Sequence, residues 1–362
     1  MLKSKKIIPA ILIPVIIMTV TAVYASNIIP INQSLHELKR YVDGNLNMQS
    51  FNAEQIHLKA RRDEAERLYN ESRKQTALLK NQLDMLNHDL TQREVRERRQ
   101  KLIEKHMLQL EYYDVTLLIK RLELSQEELE LVNKQIIVEQ EKLNQGDSTQ
   151  LAVDNLMSNR RRVENEILDI TNRIEIGKKA IETRLNRRQA VHPKPVFTIP
   201  VSVIHTDPYT LVELKSSHKG NNLELKRLRA FVVSHDDLIS SLKDYVGEND
   251  QAYILAISER TVAQLEAETL TQRLDIYIEN RYGEYRNSVE SYKTHNERRS
   301  ILNSQLAILE AKYHNGEISE LQYLSDRFVV LTGLNEVYAA NAKKINAISL
   351  MNLIENGIVQ GN

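Results

Sequence analysis

From Asn45 to Gln145 the chain runs for 101 residues with neither glycine nor proline. Proline breaks a helix and glycine weakens it, so a stretch free of both and rich in Leu, Glu, Lys, Arg and Gln is expected to be helical throughout. It is far longer than a globular helix, which leaves one long rod or two antiparallel rods joined by a polar turn. The seven prolines, at 9, 14, 30, 193, 195, 200 and 208, fall only near the N-terminus and in one middle segment. Everything else is free to be helix. Leu79, Leu83, Leu86 and Leu90 step by four, three and four, and Leu110, Leu117, Leu124 and Leu131 step by sevens. These spacings predict narrow apolar seams that pack helix on helix with left-handed supercoiling.

Two turns punctuate the helical stretches. The first reads Glu141-Lys-Leu-Asn-Gln-Gly146-Asp-Ser-Thr149-Gln-Leu151 and the second Ala311-Lys-Tyr-His-Asn-Gly316-Glu-Ile-Ser319-Glu-Leu321. In each, one glycine closes a helix in the left-handed conformation, and a Ser or Thr three residues on caps the next. The halves also begin alike. Ser34-Leu-His-Glu-Leu-Lys39 followed by Gly44-Asn45 matches Thr210-Leu-Val-Glu-Leu-Lys215 followed by Gly220-Asn221, at an offset of 176; the two turns are offset by 170. A duplicated unit follows: a short helix capped by Ser34 or Thr210 and ended by Gly44 or Gly220, then a long folded-back pair. The fold-back of the second half is expected at Tyr245-Val-Gly-Glu-Asn-Asp250. In the first half it is expected near Tyr69-Asn-Glu-Ser72, with Asn87-His88-Asp89 as the alternative.

The segments between and before these units differ in character. Lys3, Lys5 and Lys6 precede the apolar run Ile7 to Val23, and Val23-Tyr24-Ala25 has the small-residue spacing of a signal-peptidase site. The chain is therefore expected to be exported to the cell envelope, with cleavage after Ala25; retention of residues 7–23 as a membrane anchor is the alternative. Residues 191–208, with four prolines and many β-branched positions, read as an extended linker. The expected organisation is a leader or anchor over 1–25, helical repeat 1 over 26–190, the linker over 191–208 and helical repeat 2 over 209–362.

Chemistry is hard to place on this chain. With no cysteine there is no disulfide, thiol nucleophile or cysteine-bound zinc, and the ten histidines form no metal-ligand spacing. Carboxylates lie along charged helix faces, and no glycine-rich phosphate loop occurs. Lys+Arg and Asp+Glu balance at 49 each, and the runs Arg93 to Arg99 and Arg160 to Arg162 are interleaved with or flanked by acids, so nucleic acid is not an expected partner. Charged residues make up 27% and aromatics 5% with no tryptophan, which suits long thin helical packing better than a thick core. The expectation is a non-enzyme without cofactor or metal.

Two repeats, each opening with a short helix and Gly-Asn and running through long helices to a [Tyr/Leu]-x-x-Gly-x-x-[Ser/Thr]-x-Leu turn, resemble the TolC-type outer membrane efflux proteins. The turns that carry the resemblance are Leu143 to Leu151 and Tyr313 to Leu321. It implies an all-α fold of long antiparallel coiled-coil hairpins in two tandem repeats, associated as a homotrimer into an α-barrel tunnel. It also implies that the turns form the tip that meets a periplasmic adaptor, or membrane fusion protein, working with an inner-membrane pump. The residues carried over as partner-binding are Asn144, Gln145, Gly146, Asp147, Asn315, Gly316 and Glu317. One departure is visible. The family inserts barrel strands into each long arm, whereas about 69–80 and 245–255 show no alternating strand pattern here, so a relative without the β-barrel strands is expected. The function expected is a subunit of an efflux or secretion duct. The alternative is a membrane-anchored coiled-coil adaptor or structural spacer of the envelope with no channel.

Overall fold

The computed structural model describes residues 35–39, 46–72, 77–185 and 208–359. The leader with Ala25, the linker over 191–207, and Ser34 and Gly44 lie outside the described residues. The described residues are helical and contain no strand. The helices are α1 (Leu35–Leu38), α2 (Leu46–Glu71), α3 (Ala77–Thr91), α4 (Arg93–Gln145), α5 (Gln150–Arg184), α6 (Leu211–Asn221), α7 (Leu223–Tyr245), α8 (Gln251–His314) and α9 (Glu320–Glu355).

The long glycine- and proline-free run takes the two-rod form. Its reversal falls between Glu71 and Ala77, at the Tyr69–Ser72 position, while Asn87 to Asp89 stay within α3. Asn47 at the start of α2 donates to Glu104 of α4 at 2.7 Å, which sets α2 antiparallel to the α3–α4 rod. That rod is interrupted only at Gln92 (φ −84°, ψ 3°). The second half reverses at Val246 to Asp250, where Gly247 takes φ 86° and the Asp250 side chain caps Ala252 N–H at 2.8 Å. Neither interval is long enough for a pair of ten-residue barrel strands. From Asp250 onward α8 runs unbroken for 64 residues, roughly 95 Å at 1.5 Å per residue.

These rods lie side by side in one layer. Toward the glycine turns the order across the layer is α5, α4, α9, α8; toward the other end it is α2, α3, α7, α8. Register is fixed by polar pairs between α4 and α9. Glu127 pairs with Arg327 at 2.9 Å, Asn335 donates to the Lys120 carbonyl at 3.1 Å, and Gln109 donates to Asn346 at 3.1 Å. His106 meets Ser349 at 2.8 Å, and Arg99 donates to the Gly357 carbonyl at 2.6 Å. One number falls as the other rises, so the two helices are antiparallel. Because α4 has a neighbour on each side, its burial is two-sided: Leu108, Tyr112, Val115, Leu131 and Ile136 are buried. The expected sevenfold line is only partly the core, since Leu110, Leu117 and Leu124 are half-buried and Leu131 alone is buried.

Half-way along the rods two joints repeat the same construction. In the first, Leu38 of α1 packs with Leu108 and Val115 of α4 and Ile181 of α5. In the second, Leu214 of α6 packs with Ile278 and Tyr285 of α8 and Met351 of α9. Three of these four pairs of positions, all but Leu38 and Leu214, keep the spacing of 170 seen at the turns, so the sequence duplication is a duplication of packing. The first joint is also charged. Arg184 at the end of α5 bridges buried Glu104 at 2.8 Å and Glu111 at 2.7 Å.

The second joint closes on the C-terminal end of α9. Gly357 N–H bonds to Ile354 and Ile358 N–H to Leu353, the paired bonds of a left-handed helix cap, with Gly357 at φ 73°. Gly220 does not end the short helix as expected: α6 continues to Asn221, and Asn222 makes the break. Its side-chain oxygen caps Leu225 N–H at 3.0 Å, and its amide donates to the Gly357 carbonyl at 3.2 Å. A Cβ on Gly357 would stand 2.4 Å from the Asn221 backbone carbon, so glycine is required there for space as well as for φ.

One buried cation interrupts the α8–α9 seam. Lys344 is 2% exposed, its Nζ makes no hydrogen bond, and it sits 3.5 Å from the Tyr292 ring centroid. Burial pushes this amine below its ordinary range.

Three stability outcomes are expected. Gly357→Ala should lower stability in urea denaturation by more than 1 kcal/mol, a rough floor from the φ penalty alone, whereas Gly283→Ala, with nothing within 4 Å of its Cβ, should raise it by about 0.5–1 kcal/mol. Lys344→Met should be more stable than the parent at neutral pH by about 1 kcal/mol or more. The folded-state pKa of Lys344 lies below the unfolded value, so its charge penalises folding below that folded pKa, and the penalty fades as pH rises toward 10.5. The gap between the two proteins should therefore narrow at alkaline pH; a gap constant with pH would show that the charge plays no part.

Candidate functional site: two helix turns and two open edges

Both glycine turns are built the same way. Gly146 (φ 85°) donates its N–H to Leu143 and Asp147 donates to Lys142; Gly316 (φ 71°) donates to Tyr313 and Glu317 donates to Lys312. The next helices are capped by side chains, Thr149 to Ala152 N–H at 3.3 Å and Ser319 to Gln322 N–H at 3.2 Å. These caps satisfy helix-end groups that would otherwise need water. The residues singled out from sequence, Asn144, Gln145, Gly146, Asp147, Asn315, Gly316 and Glu317, are all exposed. Nothing lies within 4 Å of a Cβ built on either glycine, so these turns are open surface rather than packed corners.

The α4–α9 register decides how the turns sit relative to each other. Lys134 of α4 pairs with Glu320 at the start of α9, close to both turns, so the turns share one end of the molecule. Extending the register places Gly316 beside Glu139, short of Gly146 by seven residues or roughly 10 Å. The first turn therefore projects beyond the second.

Local contacts hold each turn differently. Below the first, the Ser148 hydroxyl donates to Glu139 and holds that carboxyl below its ordinary range. Below the second, the Tyr313 and Tyr323 rings stack at 4.4 Å with 9° between planes. Arg327 lies 5.8 Å from the Tyr323 ring and pairs with Glu127 of α4. The Glu320 partner raises the Lys134 amine. Sequence reasoning missed this set. The glycine motif marks where the chain turns, but Tyr323, Arg327 and Lys134 become neighbours only through the α4–α9 register.

The layer has two free margins, which periodicity alone also did not mark. Along α8, Ile254, Leu265, Ile276, Ile301 and Ile308 are each more than half exposed. Their spacings of 11, 11, 25 and 7 are close to whole turns, so they form one stripe. The buried residues Ala256, Ala263, Leu274 and Tyr285 occupy the opposite side of the helix. At the other margin, Leu151, Leu168 and Ile176 of α5 are exposed, while Val153, Val163, Ile170 and Ile174 are buried. Isolated exposed apolar residues are ordinary; a stripe along most of a rod is not.

Among the described residues, no group of three His, Asp or Glu side chains could hold a metal ion. No described helix is long and apolar enough to cross a membrane. Residues 7–23 lie outside the described residues.

No family model matches the chain, and no curated protein matches it in sequence. Solved structures do. The outer-membrane channel OprN superposes with a TM-score of 0.64 at 11% identity, over 89% of this chain and 90% of that one. CusC, a protein of transmembrane channel formation, superposes at 0.62 and 11% identity, over 92% and 95%. VceC, an outer membrane protein of Vibrio cholerae, does so at 0.61 and 11% identity, over 89% and 96%. Likeness of this extent at such low identity is a likeness of fold: the chain has the two-repeat helical fold of the TolC-type outer membrane efflux channels, without strands among its described residues.

Proposed function

We propose that this chain is the subunit of an exported helical duct of an efflux or secretion assembly in the cell envelope. The observation that carries the reading is the single layer with two unlike apolar margins, α5 and α8. A layer with unpaired apolar residues on each outer side is stabilised by setting the α5 margin of one copy against the α8 margin of the next. Such unlike contacts either propagate or close into a ring, and three copies of a four-helix layer give the twelve-helix tunnel implied by the family resemblance. The reading includes removal of the leader after Ala25 and involves no catalytic step.

The exposed turns complete the proposal. Asn144, Gln145, Gly146 and Asp147, with Asn315, Gly316 and Glu317, would meet the helical hairpin of an adaptor that links the duct to an inner-membrane pump. Their polar, capped and unpacked geometry supports a docking role. The competing reading is an envelope spacer without a channel.

Mass measurement of the purified mature protein separates the two. A closed trimer, hollow by electron microscopy, is expected for the duct; a monomer or a two-fold dimer would favour the spacer. Leu168→Glu and Ile301→Glu each damage one margin and should each prevent closure without loss of helicity by circular dichroism. Because the margins are unlike, mixing these two variants should give a dimer through the one intact pair of surfaces. Docking is tested with Asp147→Lys combined with Glu317→Lys, which leaves the positive-φ glycines in place. Capture of the adaptor should fall at least tenfold with the ring intact; undiminished capture would remove the docking role.

A further inference from the structure

A buried histidine ties the second joint together. His218, fully buried in α6, places Nδ1 2.7 Å from the Ile354 carbonyl and Nε2 3.4 Å from the Asn222 side-chain amide. The Asn222 oxygen is already engaged as the cap of Leu225, so the amide NH2 faces the ring. Nε2 must then accept and Nδ1 must donate, which the neutral imidazole does and the imidazolium cannot. Arg99 of α4 stands beside it, and burial and that guanidinium push the imidazole below its ordinary range, against the opposing pull of the Ile354 carbonyl. Charged groups on the surrounding helices include Asp275 of α8, bound by Lys219, Glu279 of α8, bound by Lys215, Arg96 of α4, and Glu355 of α9, whose backbone carbonyl takes the Asn221 amide.

A second histidine, His235, is buried in α7 nearer the far end. Nδ1 lies 3.1 Å from the Phe231 carbonyl and Nε2 lies 3.2 Å from the Glu259 carboxylate of α8. The Phe231 ring stacks on it at 3.8 Å, and Asn81 of α3 approaches Nδ1 at 3.5 Å while donating to Ser234 at 2.8 Å. The nearby charges are Arg260 of α8, paired with Asp236 of α7 at 2.9 Å, Asp237 of α7, and Lys80 and Asp84 on the exposed side of α3.

We propose that the chain carries a proton-operated hinge: acid releases the α6–α7 break from the C-terminal end of α9 at His218. A proton on Nε2 of His218 sets donor against donor at Asn222, the residue that also caps α7 and holds the Gly357 carbonyl. One protonation thus disturbs the cap, the helix break and the end of α9 together. Mildly acid conditions should therefore bend the rod at its middle rather than fray its far end.

Hydrogen exchange of the full-length protein between pH 7.5 and 4.5, corrected for intrinsic rates, tests this. Amides of Leu225, Gly357 and Ile358 should lose protection, approaching tenfold per pH unit between the ordinary imidazole range and the lower titration of folded His218, while amides of 231–235 and 255–260 hold. His218→Gln keeps a donor toward Ile354 and an acceptor toward Asn222, so it should abolish the loss. His235→Gln should leave the joint's response intact. An equal loss in the parent and in His218→Gln, or no loss in the parent, would overturn the proposal. Should His218→Gln fail to fold, imidazole NMR of the parent decides: a loss that begins in the ordinary imidazole range and levels off where folded His218 takes its proton supports the hinge, and a loss that continues to steepen below that titration overturns it.

Discussion

The structure depends on helices packed one deep. In a layer each rod has a neighbour to either side and none above or below, so the apolar stripe must serve two sides while the remaining faces stay polar. This is why α4, with α5 on one side and α9 on the other, buries residues on two faces, and why α8 buries Ala256 and Tyr285 while leaving Ile254 and Ile301 exposed. It is also why so charged a chain can fold: the thin layer needs little core, and its long faces carry ion pairs such as Arg121 with Glu166 and Lys219 with Asp275. Pairs this exposed contribute little each; they keep the surface soluble and disfavour slipped registers.

What a thin layer lacks in core it gathers at two joints. The short helices α1 and α6 each lie across a long pair and bring leucine, tyrosine and isoleucine together at one height. Around these clusters lie the most specific polar contacts of the molecule: Arg184 between Glu104 and Glu111, and the His218, Asn222 and Gly357 set. Buried polar groups of this kind cost free energy unless every partner is present, so they fix one geometry more sharply than the apolar contacts around them.

Much of this could be read from the chain. The glycine turns, the capping Thr149, Ser319 and Thr210, the duplication and the fold-back near Tyr69 all follow from local chemistry, because turns and caps are decided within a few residues. Other features depend on contacts distant in sequence. The α6 break is set by Asn222 rather than Gly220, since only the folded chain shows the amide reaching Gly357. The interruption at Gln92 carries no glycine or proline, and buried Asp89 beside it pairs with Arg96 and with Arg227 of α7. Heptad counting placed Leu110, Leu117 and Leu124 on a seam because it assumed one partner per helix, and α4 has two. Of the candidate site, the positions of the turns were legible and their shared end was expected from the duplication; the aromatic stack beneath the second turn was not.

The difference in height of the two turns has one geometric outcome. Any closed assembly of this chain would finish in a crenellated rim, tall and short teeth alternating around the mouth. A partner approaching along the axis would touch the Gly146 teeth first and reach the Gly316 notches only by interdigitating. Such a rim distinguishes a fingered partner from a flat one by shape, before any side chain is compared.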